Sequence, residues 1–142
     1  MFRELMRAKI HRATVTDANL AYVGSLSIDV ELMRAADIQP FEKISVVNIN
    51  TGGRFETYAI EAPAGSGTIA LNGGAARLGV AGDLVIIIAY GYYQDRDEHR
   101  ANVVFVDAKN QIVSVETQSR GETDQLAGIA YGDFDPFAPQ EL

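Results

Sequence analysis

Short runs of β-forming residues recur along this chain, and each run is bounded by Gly, Asn, Asp or Pro. Runs of this length and spacing are typical of strands in an all-β barrel or sandwich. The clearest pair is residues 43–50 and 54–62, two alternating runs joined by residues 51–53, Thr-Gly-Gly. A short glycine-containing connection of this kind predicts a β-hairpin. Residues 101–107 and 111–116, also separated by a turn sequence, predict a second hairpin.

Further strands are predicted where Ile, Val and Leu are concentrated, at residues 8–16, 26–30, 68–71 and 82–90. The last of these, "GDLVIIIAY", is a continuous apolar run and predicts a central, buried strand. Asp29 is placed to cap a short helix that stops before Pro40. After "NGG", the stretch "AARL" predicts one helical turn.

The chain is predicted to form one β-barrel domain over residues 1–116. From Thr117 onward the periodicity is lost, and residues 117–142 are acidic and contain Gly and Pro. Such a composition predicts a mobile C-terminal tail, in which Phe134 and Phe137 could dock locally.

Composition argues against several classes of protein. The net charge of −7 disfavours a nucleic-acid or anionic-membrane partner, since both need a basic patch. The absence of Cys excludes disulfides and thiolate chemistry. The longest apolar run, residues 84–90, is far short of the ~20 residues of a transmembrane helix. Charges interrupt the N-terminal stretch too often for a secretory signal. We therefore expect a cytoplasmic protein.

The sequence contains two Gly-Ser pairs, at residues 24–25 and 65–66. Such a pair is most often a tight turn. A serine that follows a glycine can also attack the glycine carbonyl and rearrange the peptide bond. Local sequence alone does not decide whether either pair reacts.

Five stretches occur together in an order and spacing that match one family: "KIHRATVT", "YVGS", "GRFETYAI", "LNGGAA" and "GDLVIIIAY". They cover roughly residues 1 to 110. On these motifs the chain resembles the pyruvoyl-dependent aspartate 1-decarboxylases. The resemblance implies a double-psi β-barrel and a homotetramer. It also implies conversion of L-aspartate to β-alanine and CO₂ for pantothenate synthesis.

The resemblance also implies that the chain is a zymogen that cuts itself between Gly24 and Ser25. Ser25 then becomes a covalent pyruvoyl group that forms a Schiff base with the substrate, so that neither pyridoxal phosphate nor a metal is needed. A glycine suits the cut position because it accepts strained backbone angles. Thr57 is implied as the hydrogen-bond donor to the Gly24 carbonyl. A maturation factor is a possible partner.

By the same resemblance, Ser25 and Tyr58 are the catalytic residues, with Tyr58 as the acid that reprotonates Cα. Arg54 is the anchor for the carboxylate that the substrate retains, because a guanidinium can hold it bidentately. Lys9 adds positive charge there. The other substrate contacts fall on Thr57, Asn72, Gly73, Gly74 and Ala75, and His11 and Tyr22 have supporting roles.

Taken without the family, these residues have simpler interpretations. Arg54 fits a solvated hairpin residue, and Tyr58 fits a half-buried strand aromatic. Lys9 and His11 share a strand face, which is compatible with a shared site or with a solvated surface. Arg54 and Tyr58 also share a face, whereas Thr57 points the other way in a regular strand. Either the strand is irregular there, or neighbouring subunits contribute to one site.

Three positions depart from the family pattern. Val47 stands where many members carry a tryptophan, Gly74 replaces a usual alanine, and Ala64 stands where an arginine is frequent. The looser wall at Val47 leaves open a decarboxylase of another acidic amino acid, such as glutamate. An unprocessed, non-catalytic β-barrel binding module is the other alternative.

Overall fold

The computed structural model describes residues 1–119, which form a nine-stranded mixed sheet, one α-helix and one 3₁₀ turn. The strands are β1 (Phe2–Thr14), β2 (Asp17–Asn19), β3 (Ser25–Asp29), β4 (Lys43–Asn48), β5 (Arg54–Ala62), β6 (Ile69–Asn72), β7 (Leu84–Gln94), β8 (Arg100–Val106) and β9 (Ile112–Ser119). The helix α1 spans Val30–Ala36, and the 3₁₀ turn spans Gly73–Arg77. Along the sheet the order is β2-β6-β3-β5-β4-β7-β1-β8-β9. The prediction of an all-β protein is confirmed.

Both predicted hairpins are present. Strands β4 and β5 pair antiparallel, from Lys43 opposite Tyr58 to Val47 opposite Arg54. Strands β8 and β9 also pair antiparallel. Since each hairpin joins neighbours in sequence, its register follows from local alternation and turn length.

The predicted helix begins where expected. The Asp29 carboxylate caps it by accepting a hydrogen bond from the Glu31 N–H at 2.9 Å. The helix ends at Ala36, because Asp37 adopts a left-handed conformation with φ of 53°. The predicted helical turn after "NGG" is also present and starts at Gly73.

Strand β7 is central, but it is buried on one face only. Val85, Ile87 and Ala89 point into the core, whereas Ile86 and Ile88 between them are half-buried on the other face. The prediction of a strand buried throughout is therefore wrong. No layer of residues 1–119 covers the outer face of β7 completely, although that face is apolar.

The sheet curls back upon itself. The Thr16 N–H, just after β1, donates to the Ile69 carbonyl at 2.8 Å, and the Ile69 N–H donates to the Thr16 hydroxyl oxygen at 3.0 Å. Because β1 is seventh and β6 second in the sheet order, these bonds require a curved sheet. The concave face holds one core of side chains from β1, β3–β8 and α1. The double-psi crossing of the strands stays a prediction.

Strand β9 continues through Ser119 and so includes the first three residues of the predicted tail. The rest of the predicted tail, with Phe134 and Phe137, lies outside the described residues. Among residues 1–119, no helix is both long and apolar enough to cross a bilayer.

Candidate active site

The peptide bond between Gly24 and Ser25 lies where an irregular loop enters β3. Ser25 has a φ of 151°, a positive value that residues with a side chain rarely adopt. Its side chain is 1% exposed, whereas Tyr22 and Val23, two and one residues before Gly24, are exposed. A buried serine thus begins the strand in a backbone conformation that costs about 1–3 kcal/mol.

Asn72 faces Ser25 across the β3–β6 pair. Its side-chain amide donates a hydrogen bond to the Ser25 hydroxyl oxygen at 3.1 Å. The same amide nitrogen donates to the Ser27 hydroxyl oxygen at 2.8 Å. Asn72 is 5% exposed, so these bonds form in a site largely closed to water. The structure therefore brings the predicted residue Asn72 directly to the predicted nucleophile.

Gly73 closes the other side of the loop. It has a φ of +59°, and a Cβ at this position would stand 2.7 Å from both the Cα and the N of Gly24. It would also stand 2.8 Å from the Tyr22 carbonyl oxygen. Only glycine fits such a contact between two backbones. At Gly74, by contrast, an added Cβ would meet nothing within 4 Å, so the alanine that is usual there would fit.

Thr57 and Tyr58 approach the same bond along β5. In the parallel β3–β5 pair, Leu26 lies opposite Ala59. The residues that precede this pair are Ser25 and Tyr58, and before them Gly24 and Thr57. The predicted residues on β5 therefore come just before the first residue of β5 that pairs with β3, as Gly24 and Ser25 do on β3.

The two β5 residues differ in the face they occupy. Ala59 is in the core and Phe55 packs against it, so Thr57 between them is on the core side. Tyr58 lies on the outer face, where its ring centre is 6.1 Å from that of Phe41. Arg54 is exposed on that face too, so the predicted split of these three residues is confirmed. Among residues 1–119, no hydrogen bond joins the Thr57 hydroxyl to the Gly24 carbonyl.

Lys9 and His11 lie on β1, on the face opposite Ile10 and the core. Burial lowers the pKa of the Lys9 ammonium. Burial, together with the positive charges of Lys9 and Arg12, lowers the pKa of His11 to about 4. The imidazole is thus neutral at pH 7, and it packs edge-on against Phe105 with 5.6 Å between ring centres.

The structure does not bring Lys9 to Ser25 within one chain. Strands β5, β4 and β7 lie between β3 and β1 in the sheet order. On the other side, where the sheet curls back, Lys9 lies seven residues before Thr16, which bonds to Ile69, whereas Ser25 lies opposite Asn72, three residues after Ile69. Arg54 is nearer in the order but lies four residues before Tyr58, about 13 Å along β5. Within one chain, Ser25 thus contacts Asn72 and Gly24 lies against Gly73, whereas Lys9 lies on another part of the sheet.

Comparison with known proteins gives the family of the chain. The family described as aspartate decarboxylase matches residues 1–113. The chain belongs to this family. It is 56% identical over 123 residues to the aspartate 1-decarboxylase of Acetivibrio thermocellus, covering 84% of this chain and 97% of that protein. It is 54% identical over 127 residues to the aspartate 1-decarboxylase of Carboxydothermus hydrogenoformans, covering 87% of this chain and all of that protein.

Every predicted site residue of this member of the aspartate decarboxylase family, from Lys9 to Ala75, falls within the matched range. The prediction of the family from five short motifs is confirmed. Sequence reasoning missed Ser27, which contacts Asn72 beside Ser25. The signal available was its spacing, because residues two apart on a strand share a face.

Proposed function

We propose that this chain is a self-processing, pyruvoyl-dependent L-aspartate α-decarboxylase. The family supports the reaction itself: the chain is an aspartate 1-decarboxylase that converts L-aspartate to β-alanine and CO₂, and β-alanine feeds pantothenate synthesis. The observation that carries the processing step is the state of Ser25. It is buried, has a positive φ, follows a glycine and accepts a hydrogen bond from Asn72.

The chemistry of processing uses only these residues and water. The Ser25 hydroxyl oxygen attacks the Gly24 carbonyl carbon, the bond from that carbon to the Ser25 nitrogen breaks, and the hydroxyl proton passes to the nitrogen. The resulting ester is cut by β-elimination, in which Cα of Ser25 loses its proton and Gly24 leaves as a carboxylate. Water then displaces the nitrogen as ammonia and leaves a ketone at Cα.

An amide is more stable than an ester, so the fold must favour the first step. The positive φ of Ser25 raises the free energy of the uncut chain, and cutting relieves it. The close packing of Gly73 against the Gly24 backbone restricts the movement of Gly24 next to the bond that is attacked. These features support the proposal that Gly24, Ser25 and Gly73 together favour formation of a pyruvoyl group.

The pyruvoyl group supplies a ketone that captures the substrate amine and an adjacent carbonyl that withdraws electrons as CO₂ leaves. Tyr58, the residue before Ala59 in β5, which pairs with Leu26, holds the phenol proton that Cα of the product requires. Asn72 and the backbone N–H groups of Gly73, Gly74 and Ala75 orient the bound substrate. Arg54 binds the carboxylate that is retained.

We further propose that the complete site forms between copies of the chain in a homotetramer. The separation of Lys9 from Ser25 within one chain supports this, because both act on one substrate only if a second copy supplies one of them. The exposed apolar side chains of Tyr22 and Val23 next to the cut bond, and the half-buried Ile86 and Ile88, offer apolar surface for a neighbouring copy.

Intact-mass spectrometry of the purified full chain tests the processing. Two fragments are expected, 1–24 and 25–142, with the larger lighter by one NH₃ than hydrolysis alone would give. The Ser25→Ala variant should stay uncut and release no CO₂ from labelled aspartate. A wild-type chain that stays whole after long incubation with an extract of its source cells would overturn the proposal.

A further inference from the structure

The side-chain amide of Asn72 lies between two serine hydroxyls on the outer face of β3. Its nitrogen is 3.1 Å from the Ser25 Oγ and 2.8 Å from the Ser27 Oγ. An amide nitrogen carries two hydrogens, so it can donate one to each oxygen. The contact with Ser27 is the shorter of the two.

The positions of these three residues on their strands bring the side chains together. Ser25 and Ser27 are two residues apart on β3, so their side chains share one face. Asn72 lies opposite Ser25, and Ala70 lies opposite Ser27, in the antiparallel β3–β6 pair. Ala70 carries no polar group, which leaves the Ser27 hydroxyl free to turn along the strand towards Asn72.

The outer torsion of an asparagine side chain has a broad energy profile, so the backbone alone does not fix the direction of the amide. The Ser25 hydroxyl alone does not fix the direction of the amide, since this hydroxyl itself rotates among three staggered positions. The Ser27 oxygen provides a second acceptor for the same nitrogen, at the shorter distance of 2.8 Å. With both acceptors in place, the Asn72 amide has one orientation, and this orientation selects one rotamer of the Ser25 hydroxyl.

We propose that Ser27 is a positioning residue for chain maturation. It holds the Asn72 amide so that this amide donates to the Ser25 hydroxyl oxygen, and it thereby fixes the nucleophile for attack on the Gly24 carbonyl. The inference rests on the proposed processing at Gly24–Ser25. Ser27 itself does not touch the reacting carbonyl.

The Ser27→Thr and Ser27→Val variants form a matched pair, because the two side chains have the same shape and differ only in the hydroxyl. Ser27 is half-buried in a strand, where β-branched residues are well accommodated. The full chains are made by cell-free translation, quenched in acid at intervals, and the cut fraction is measured by intact-mass spectrometry.

We expect Ser27→Thr to be cut at a rate within about twofold of wild type, and Ser27→Val to be cut about fivefold more slowly, the loss of one net hydrogen bond. Equal rates for the two variants in a chain whose wild type is cut would overturn the role of Ser27 alone. If the wild type is not cut at all, the proposed processing falls, and this inference falls with it.

A double-mutant cycle separates positioning from a general effect on folding. Ser27→Ala should slow cutting by a similar factor in the wild-type chain, but it should have no further effect in an Asn72→Ala background. The same slowing in both backgrounds would show that Ser27 acts independently of Asn72, and it would contradict the proposal. This comparison also replaces the first should Ser27→Val fail to fold.

Discussion

The backbone of Gly73 lies against that of Gly24, with room for a hydrogen atom and no room for a methyl group. A Cβ on Gly73 would stand 2.7 Å from the Cα of Gly24, well inside van der Waals contact. The contact joins the predicted cut position to the 3₁₀ turn that carries the predicted substrate-binding backbone. A change at residue 73 should therefore reach the scissile bond directly.

We expect Gly73→Ala to slow maturation at least about tenfold. The added methyl group displaces Gly24, and an alanine at residue 73 is strained because the backbone there has a positive φ. Gly74→Ala is the matched control for cutting, since a Cβ there meets nothing within 4 Å. The cut fraction is followed by intact mass, and circular dichroism checks that both variants fold. Equal cutting rates for the two variants would contradict this account.

His11 gives a prediction about stability and pH. The pKa of His11 is lowered to about 4 in the folded chain from an ordinary 6.5, so the folded state favours the neutral imidazole. The associated stabilisation is fully present above about pH 6.5 and is lost as the pH falls towards 4. The difference between the pKa values of the folded and unfolded states corresponds to about 3 kcal/mol of unfolding free energy.

Urea unfolding between pH 7.5 and pH 4 measures this effect, in the Ser25→Ala background so that every chain is whole. The parent should lose about 3 kcal/mol more than the same chain with His11→Gln, which does not titrate in this range. Protein concentration is held fixed because assembly shifts apparent stability. Parallel curves for the two chains would show that His11 does not carry the pH dependence.

The sequence was sufficient for features that depend on local pattern. Alternation and turn residues predicted both hairpins, and Asp29 marked the helix start, because each depends on neighbours in the chain. The face of Thr57 relative to Arg54 and Tyr58 also followed from the two-residue period of a strand.

Features that depend on pairing between strands far apart in the sequence could not be predicted from the sequence. The apolar run of β7 predicts burial on both faces, but sequence does not reveal which face a second layer covers. The separation of Lys9 from Ser25 depends on the strand order, and the role of Ser27 depends on where β6 places Asn72. Neither is set by local spacing.

Val47 gives a prediction about specificity. It pairs with Arg54 in the β4–β5 hairpin and with Ile86 of β7, so its side chain stands beside the proposed carboxylate anchor. A tryptophan at residue 47 would narrow this side of the pocket.

We expect Val47→Trp to raise the preference for aspartate over glutamate roughly tenfold, measured as the ratio of the two kcat/KM values. This factor is the usual effect of one methylene group, by which the two substrates differ. Ser45→Ala, one residue pair further along the same face, is the control. An unchanged ratio in Val47→Trp would remove Val47 from the pocket wall.

A shared site predicts that two inactive chains restore each other. Ser25→Ala lacks the nucleophile, and Lys9→Ala lacks the remote cation, so each alone should release little or no CO₂ from aspartate. If a second copy supplies Lys9, a random mixture assembled by co-expression has both residues intact in about one site in four, and should recover about a quarter of wild-type activity. Distinct tags on the two chains verify that mixed assemblies form and allow them to be isolated. Activity no higher than the sum of the separate variants in isolated mixed assemblies would place Lys9 and Ser25 in the same chain's site, or Lys9 outside it altogether.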